Sequence, residues 1–288
     1  MTTGPVDRGH PRGLRTPSVL LAGLVLLIVT VWAIAPGLVT SANPLRGRLG
    51  DNFRPIAGLA GGSLANPLGT DGVGRDVLTR IVHGARPSLV VGGTAVLLAG
   101  LVGVLAGLAA GYLGRSWDLV LMGLADVQLG FPFLLMAITL AAVFGAGLKT
   151  AILALALTGW VPYARLTRAE LLALREQPFV LAGQALGASP WRMMLRHVLP
   201  NVAPTLVVVA TFSFAQMIIM ESALSFLGLG IQPPQPSWGS MLSDARNYLL
   251  TAWWAGVFPG IAIVLTVLSV NVIGERLRDL LDPRLRGL

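Results

Sequence analysis

The chain has 288 residues, of which 54% are hydrophobic and 12% are charged, and its mean hydropathy is +0.74. Soluble globular domains carry about 25% charged residues, so this composition excludes an ordinary water-soluble fold. The formal net charge of +8 indicates the arginine-rich cytoplasmic loops of a membrane protein rather than a nucleic-acid partner. There is no cysteine, which excludes disulfides and thiol chemistry. The three histidines are far apart, and we predict no metal site.

Six apolar stretches are each long enough to cross a bilayer, whose core of about 30 Å requires about 20 helical residues. The predicted spans are 18–36, 88–112, 119–143, 150–166, 202–224 and 251–273. Six spans put both termini on one side of the membrane. With the termini in the cytoplasm, most basic residues fall inside and most of the others lie in one long loop, as the positive-inside rule expects.

The predicted organisation has four parts. A cytoplasmic tail occupies residues 1–17, and the first span occupies 18–36. An external loop with a short amphipathic helix, capped by Thr70 or Asp71, covers 37–87. The core, 88–288, holds five spans and a cytoplasmic loop at about 167–200. We expect the first span to be retained, because its apolar run is longer than that of a signal peptide and Pro36 would hinder cleavage.

Glycine, proline and two acids mark special points within the spans. Gly103, Gly107 and Gly111 recur every four residues, a spacing that lets helix backbones approach closely in lipid. Prolines interrupt three spans and predict kinks there: Pro132, Pro162 and Pro259. Asp126 and Glu221 lie inside spans, where charge is costly, and are candidates for the translocation path. The alternative is that snorkelling or a polar bundle interior accommodates them.

Residues 165–200 predict a cytoplasmic hairpin that the bilayer cannot hold. A helix leaves the fourth span, the chain turns at Gly187, and a short helix leads to Leu199 and Pro200, where the fifth span begins. Ser189 followed by Pro190 is typical of a helix N-cap with proline at the first helical position. Such a hairpin can present a docking surface to a cytosolic partner, although an ordinary interhelical loop is the alternative.

This hairpin resembles the E-A-A-x3-G-x9-I-x-L-P loop of ABC importer permeases, since Leu199 and Pro200 follow Gly187 by twelve and thirteen residues. From about residue 60 onwards, the chain resembles more narrowly the C-type permease subunits of dipeptide, oligopeptide and nickel importers. The stretches that carry this resemblance are Asn66-Pro67-Leu68-Gly69-Thr70-Asp71, Gly74-Arg75-Asp76-Val77-Leu78, Ala185-Leu186-Gly187-Ala188-Ser189, Glu221-Ser222-Ala223-Leu224-Ser225-Phe226, Pro236-Ser237-Trp238-Gly239 and Asp282-Pro283-Arg284.

The resemblance implies an all-α membrane protein with six spans and the MetI-like fold of type I importer permeases. It would sit in a bacterial inner membrane and form half of a pathway for peptides. Its expected partners are a B-type permease subunit, two cytosolic ATPases that carry ATP and Mg²⁺, and an external binding protein. No cofactor is expected in this chain itself, and no nucleic acid is expected as a partner.

The resemblance also assigns roles to residues. The ATPase-coupling loop would comprise Ala182, Gly183, Ala185, Gly187, Ala188, Ser189, Arg192, Arg196, His197, Leu199 and Pro200. The external gate or binding-protein contact would comprise Asp71, Arg75, Asp76 and Trp238. The loop departs from the family pattern at two positions, because Leu181 replaces the glutamate and Gly183 replaces the second alanine. The acidic contact to the ATPase is therefore not expected here.

ATP hydrolysis is expected on another chain. A phosphate-binding loop requires G-x-x-x-x-G-K-[ST], and Lys149, the one lysine, follows Leu148. Three alternatives stay open. An ion-coupled secondary transporter would use intramembrane acids such as Asp126 and Glu221. An ABC importer of nickel or another small solute would share the same loop. A structural membrane subunit would have no transport role. An intramembrane enzyme lacks the usual catalytic groups.

Overall fold

The computed structural model describes residues 17–281, together with all side chains in that range except those of Gln184 and Pro190. The predicted cytoplasmic tail and Asp282-Pro283-Arg284 therefore lie outside the described residues. Residues 17–281 contain ten α-helices and no β-strand: α1 Pro17–Ile34, α2 Val77–Tyr112, α3 Arg115–Gly130, α4 Phe133–Phe144, α5 Leu148–Leu174, α6 Pro178–Ala185, α7 Pro190–Arg192, α8 Leu199–Phe226, α9 Trp238–Ala245 and α10 Trp254–Leu281. A wide π-helical turn, Met193–Val198, joins α7 to α8.

Four helical stretches in this range are long and apolar enough to cross a membrane: Pro17–Ile34, Val77–Tyr112, Met193–Phe226 and Trp254–Leu281. A fifth is added if α3 and α4 count as one broken span. The helix α5 has 27 residues but is not among these stretches. The all-α prediction is confirmed, whereas length and composition give four or five spans rather than six.

The second span begins earlier than predicted. Asp76 caps α2, with its Oδ2 atom accepting a hydrogen bond from the backbone N–H of Thr79 at 2.7 Å. We predicted a separate external helix within 37–87, capped by Thr70 or Asp71. This prediction is wrong, because Val77 and the residues after it are the first turns of α2. Pro87 lies inside this continuous helix. A proline removes one backbone donor and crowds the carbonyl group four residues earlier, but the helix stays continuous, and its first turns are buried at Val77, Ile81 and Val82.

The third predicted span is broken. Phe131 has an extended conformation (φ −93°, ψ 123°) and Pro132 caps α4, so that α3 and α4 meet at 91°. The residue before a proline avoids the α-helical region, which explains the break. The kink predicted at Pro132 is therefore confirmed. By contrast, α5 and α10 continue through Pro162 and Pro259 without a break.

Gly103, Gly107 and Gly111 on α2 were predicted to allow close packing against another helix. This prediction is confirmed, and the partner helix is α5. At each of these positions an added Cβ would clash with α5. The nearest atoms would be the Trp160 carbonyl oxygen at 2.3 Å from Gly103, the Ala164 carbonyl oxygen at 2.5 Å from Gly107, and Leu171 Cδ2 at 2.8 Å from Gly111. Such small-residue contacts replace the hydrophobic driving force that lipid cannot supply.

Three long helices share one apolar cluster with the π-helical turn at the ends nearest to it. Its buried members are Leu108 from α2, Leu171 from α5, Met194 and Val198 from the turn, and Val202 from α8. The predicted hairpin is therefore not a loose loop, because its last part is embedded among these helix ends.

Candidate functional site

We call residues 178–198 the coupling hairpin. It contains α6, a turn, α7 and the π-helical turn. Pro178 is the first residue of α6, a position where the missing N–H costs nothing. The carbonyl oxygen of Gln177 accepts hydrogen bonds from the backbone N–H groups of Val180 (3.0 Å) and Leu181 (3.2 Å).

Gly187 ends α6 with φ +76°, as the sequence predicted for the tight turn. The N–H of Ala188 donates to the carbonyl oxygen of Gly183 at 3.0 Å. This six-to-one hydrogen bond after a left-handed glycine is the Schellman arrangement that closes many helices. The turn therefore requires a residue that tolerates positive φ, and glycine does so without strain.

Ser189 caps the next helical turn, as predicted. Its Oγ atom accepts a long hydrogen bond of 3.4 Å from the N–H of Arg192, and its carbonyl oxygen accepts one of 3.0 Å from the N–H of Met193. The cap starts the chain back towards α8. The side-chain amide of Asn201 donates to the carbonyl oxygen of His197 at 2.6 Å, which strengthens the junction with α8.

The coupling hairpin has one buried and one exposed apolar side. Val180, Met193, Met194 and Val198 are buried. The exposed side carries Phe179, Leu181, Leu186, Trp191 and Leu195, and Leu186 is 89% exposed. Large apolar side chains gathered on an exposed surface are typical of protein or membrane contacts.

The predicted coupling residues fall mostly on the exposed side. Ala182, Ala185, Gly187, Ser189, Arg192, Arg196 and Pro200 are exposed, while Gly183, Ala188, His197 and Leu199 are half-buried. The sequence did not single out the large apolar residues between them. The signal available in the sequence was that these large apolar residues occur on both sides of Gly187.

The structure accounts for the departures from the family loop. Leu181 is 53% exposed, so the position of the family glutamate presents an apolar side chain. A Cβ atom at Gly183 would lie 2.8 Å from the sulfur of Met193. The space of a methyl group at Gly183 is thus occupied by the flexible end of the Met193 side chain.

Of the predicted external residues, Asp71 and Arg75 lie in a partly buried ion network instead of on a free surface, whereas Asp76 caps α2 and Trp238 is not part of the network. Asp71 Oδ2 accepts hydrogen bonds from Arg75 Nε (2.7 Å) and from Arg80 Nη1. Asp244 Oδ2 accepts from Arg80 Nη2 at 3.1 Å and from Arg75 Nη2 at 3.3 Å. The network joins the external loop, the start of α2 and α9. Arg80 and Asp244 were not predicted, because they lie 164 residues apart.

Burial alone raises the pKa of the Asp71 carboxyl group, but the charges of Arg80 and Arg75 and backbone N–H groups outweigh it, so that the pKa lies below its ordinary value. A cavity of about 220 Å³ lies beside the network, and Phe53 and Tyr248 are among the residues that line it. Trp238 is fully buried, and its indole N–H donates to the carbonyl oxygen of Ile81 at 3.0 Å.

Asp126 and Glu221 have separate surroundings. Asp126 Oδ1 accepts a hydrogen bond of 2.5 Å from Arg165 Nη2, and both side chains are exposed. Glu221 is fully buried, and its Oε1 atom accepts from the Ser225 hydroxyl group at 2.7 Å. Within residues 17–281 its Oε2 atom has no hydrogen-bond partner. The two acids therefore do not form one site.

Residues 103–287 match the family described as the binding-protein-dependent transport system inner membrane component. The chain belongs to this family. It is a multi-pass protein of the bacterial inner membrane, and the resemblance of its coupling hairpin to importer permeases is confirmed.

Several relatives carry names that state a substrate. The dipeptide transport system permease protein DppC of Escherichia coli (strain K12) is 43% identical over 92% of this chain and 89% of its own length. The di/tripeptide transport system permease protein DppC of Pseudomonas aeruginosa (strain UCBPP-PA14) is 40% identical over 93% and 88%, respectively. The dipeptide transport system permease protein DppC of Alkalihalophilus pseudofirmus is 39% identical over 95% and 88%.

An inward-facing structure of the MetNI methionine ABC transporter superposes with a TM-score of 0.58 at 17% identity, covering 70% of this chain and 96% of the matched chain. At that identity the likeness shows the fold alone. The MetI-like part of the fold prediction is thereby confirmed.

Proposed function

We propose that this importer permease subunit forms one half of the translocation pathway for di- or oligopeptides. The exposed apolar side of the coupling hairpin carries the proposal, because it offers a surface for docking and the buried residues of the hairpin pack against the long helices. The names of the relatives support peptides as the substrate class.

In the proposed topology the chain crosses the membrane six times and has both termini in the cytoplasm. The helix α5 is the additional span, and its 27 residues are long enough for it. The broken pair α3 and α4 is another span. This arrangement puts the coupling hairpin in the cytoplasm and the Asp71 network outside.

The assembly would contain three kinds of partner. A B-type permease subunit completes the pathway, two cytosolic ATPases supply the energy, and an external binding protein delivers the peptide. The coupling hairpin would dock in a cleft of one ATPase. Closure of the ATPases would then move Met194 and Val198 and, through them, the inner ends of α2, α5 and α8.

Asp71, Arg75, Asp76 and Trp238 would act on the external side by shaping the outer loop. Asp71 and Trp238 are buried, so any contact with the binding protein would be made by neighbouring exposed residues. We retain this role as a proposal.

Uptake by a reconstituted complex tests the proposed function. The chain, its B-type partner and the two ATPases are placed in proteoliposomes, and uptake of a labelled tripeptide is measured with the external binding protein. We expect uptake only with ATP and the binding protein. Uptake by the chain alone, driven by a proton or sodium gradient, would instead establish a secondary transporter. Uptake of Ni²⁺ but no peptide would establish the other substrate class.

A further inference from the structure

Two ion pairs connect α3 to α5, and they differ in how many of their polar atoms form hydrogen bonds within the pair. Asp118 and Arg168 form a closed bidentate pair, in which Nε and Nη2 of the guanidinium group donate to the two carboxylate oxygens, the second at 2.6 Å. Both side chains are partly buried. Such a fork-to-fork pair is suited to holding two helices together.

The pair of Asp126 and Arg165 is open. Its single contact is the one between Asp126 Oδ1 and Arg165 Nη2, and the two side chains are 67% and 50% exposed. Within residues 17–281 no hydrogen bond is recorded for Asp126 Oδ2 or for Nε and Nη1 of Arg165. One carboxylate oxygen and part of the guanidinium fork are therefore available to a ligand.

Exposed apolar residues lie close to both members of this pair in the sequence. On α3 the neighbours Leu124 and Val127 are exposed, and Pro162 is exposed one turn before Arg165 on α5. Charged side chains in membrane-spanning segments almost always face the bundle interior or a water-filled cavity, because facing lipid is costly. The open side of the pair is therefore expected to face the pathway between the two permease subunits.

We propose that Asp126 and Arg165 bind the charged ends of the transported peptide, Arg165 its α-carboxylate and Asp126 its α-ammonium group. The inference rests on the proposed function. A guanidinium group recognises a carboxylate through two parallel hydrogen bonds, and a free carboxylate oxygen suits an ammonium donor. Because the pair is neutral overall, a bound zwitterion leaves no unbalanced charge at the site.

A double-mutant cycle separates this role from a mere brace between α3 and α5. If the two residues only hold each other, the double variant Asp126→Asn/Arg165→Gln is as impaired as either single variant. If each residue binds a different end of the peptide, the losses multiply. We expect each single variant to lower ATP-dependent tripeptide uptake about tenfold, and the double variant about a hundredfold.

The cycle is measured in the reconstituted complex at saturating binding protein, and uptake is divided by binding-protein-stimulated ATP hydrolysis, which reports correctly assembled complex. The same cycle at Asp118 and Arg168 is the control, and there the losses are not expected to multiply. Single variants with normal uptake, or a double variant no worse than the singles, would overturn the inference. If the unaltered complex shows no ATP-dependent peptide uptake, the proposed function itself fails.

Discussion

The sulfur of Met193 lies 2.8 Å from the position that a Cβ atom would occupy at Gly183. Met193 is fully buried, and it packs α6 against the π-helical turn that leads into α8. This contact fixes how the two arms of the coupling hairpin meet.

An alanine at Gly183 is therefore expected to disturb the coupling hairpin, although alanine is the family residue there. Overpacking by one methyl group costs about 1 kcal/mol or more, and Met193 would have to move. We expect Gly183→Ala to lower the ratio of peptide uptake to ATP hydrolysis. In a Met193→Ala background the same substitution should have little further effect, because the methyl group then has room. Equal effects in both backgrounds would contradict the packing explanation.

Gly187 is expected to be essential for coupling because of its backbone conformation. A side chain there meets open space, but at φ +76° most residues are strained by about 1–2 kcal/mol. Gly187→Val and Gly187→Glu should uncouple ATP hydrolysis from uptake while membrane insertion stays normal. Gly187→Asn should be milder, since asparagine tolerates this conformation.

Gly228 provides the matched control for Gly187. It also has positive φ (+78°) and open space around an added Cβ, but it follows α8 and lies outside the coupling hairpin. Gly228→Val should leave coupling largely intact. Normal transport by Gly187→Glu, or equal uncoupling by both valine variants, would argue against a special role of the hairpin turn.

The contact between α2 and α5 should be sensitive to side-chain size at Gly107. A methyl group there would lie 2.5 Å from the Ala164 carbonyl oxygen, whereas at Gly93 on the same helix it would lie 3.8 Å from Phe214. We expect Gly107→Ala to lower the thermal unfolding temperature of the detergent-solubilised chain and Gly93→Ala to leave it nearly unchanged. Similar unfolding temperatures for the two variants would show that α2 and α5 can separate without cost.

The Asp71 network should make the external side acid-sensitive. The native pKa of the Asp71 carboxyl group is lowered. The stabilisation that this carboxylate gives the folded state is therefore complete above its unfolded-state pKa of about 3.9. It is then lost as the pH falls through the lower native value. Thermal unfolding temperatures between about pH 6 and pH 3 should fall more steeply for the unaltered chain than for Asp71→Asn.

The Asp71→Asn variant should also be less stable at neutral pH, because it leaves Arg80 buried without its main partner. Breaking a buried pair costs roughly 3 kcal/mol or more. The control is Asp51→Asn, which removes a more exposed pair with Arg54 at 2.9 Å and should cost less than about 1 kcal/mol. Equal losses would mean that burial of the network contributes nothing.

Apolar length and glycine spacing were sufficient to predict much of the membrane fold. The spans predicted at 18–36 and 202–224 correspond closely to α1 and α8. Such agreement is expected, because a long uncharged apolar run is typical of a helix that crosses a lipid bilayer. The close helix approach at Gly107 followed from the small-residue spacing, whereas its partner α5 did not. The turn at Gly187 and the cap at Ser189 followed from local chemistry, which acts over only a few residues.

Features that depend on tertiary contacts could not be predicted in this way. The start of α2 was placed too late, because the uncharged run begins at Ser88, whereas the first turns of the helix carry Arg80 and Arg86. The ion network needs Arg80 and Asp244, which only the fold brings together. The partner of Asp126 is likewise 39 residues away on another helix, so a lone acid could be recognised but its pair with Arg165 could not.

Cysteine cross-linking tests the central claim most directly, because the chain has no native cysteine. Leu186→Cys puts one thiol at the exposed tip of the coupling hairpin, and Leu250→Cys puts one in the fully exposed turn before α10. In the assembled complex we expect Leu186→Cys to cross-link to an ATPase subunit. The thiol of Leu250→Cys should react with a membrane-impermeant thiol reagent only when the reagent is added on the outside. Labelling of Leu186→Cys from outside, or cross-linking of Leu250→Cys to the ATPase, would contradict the account.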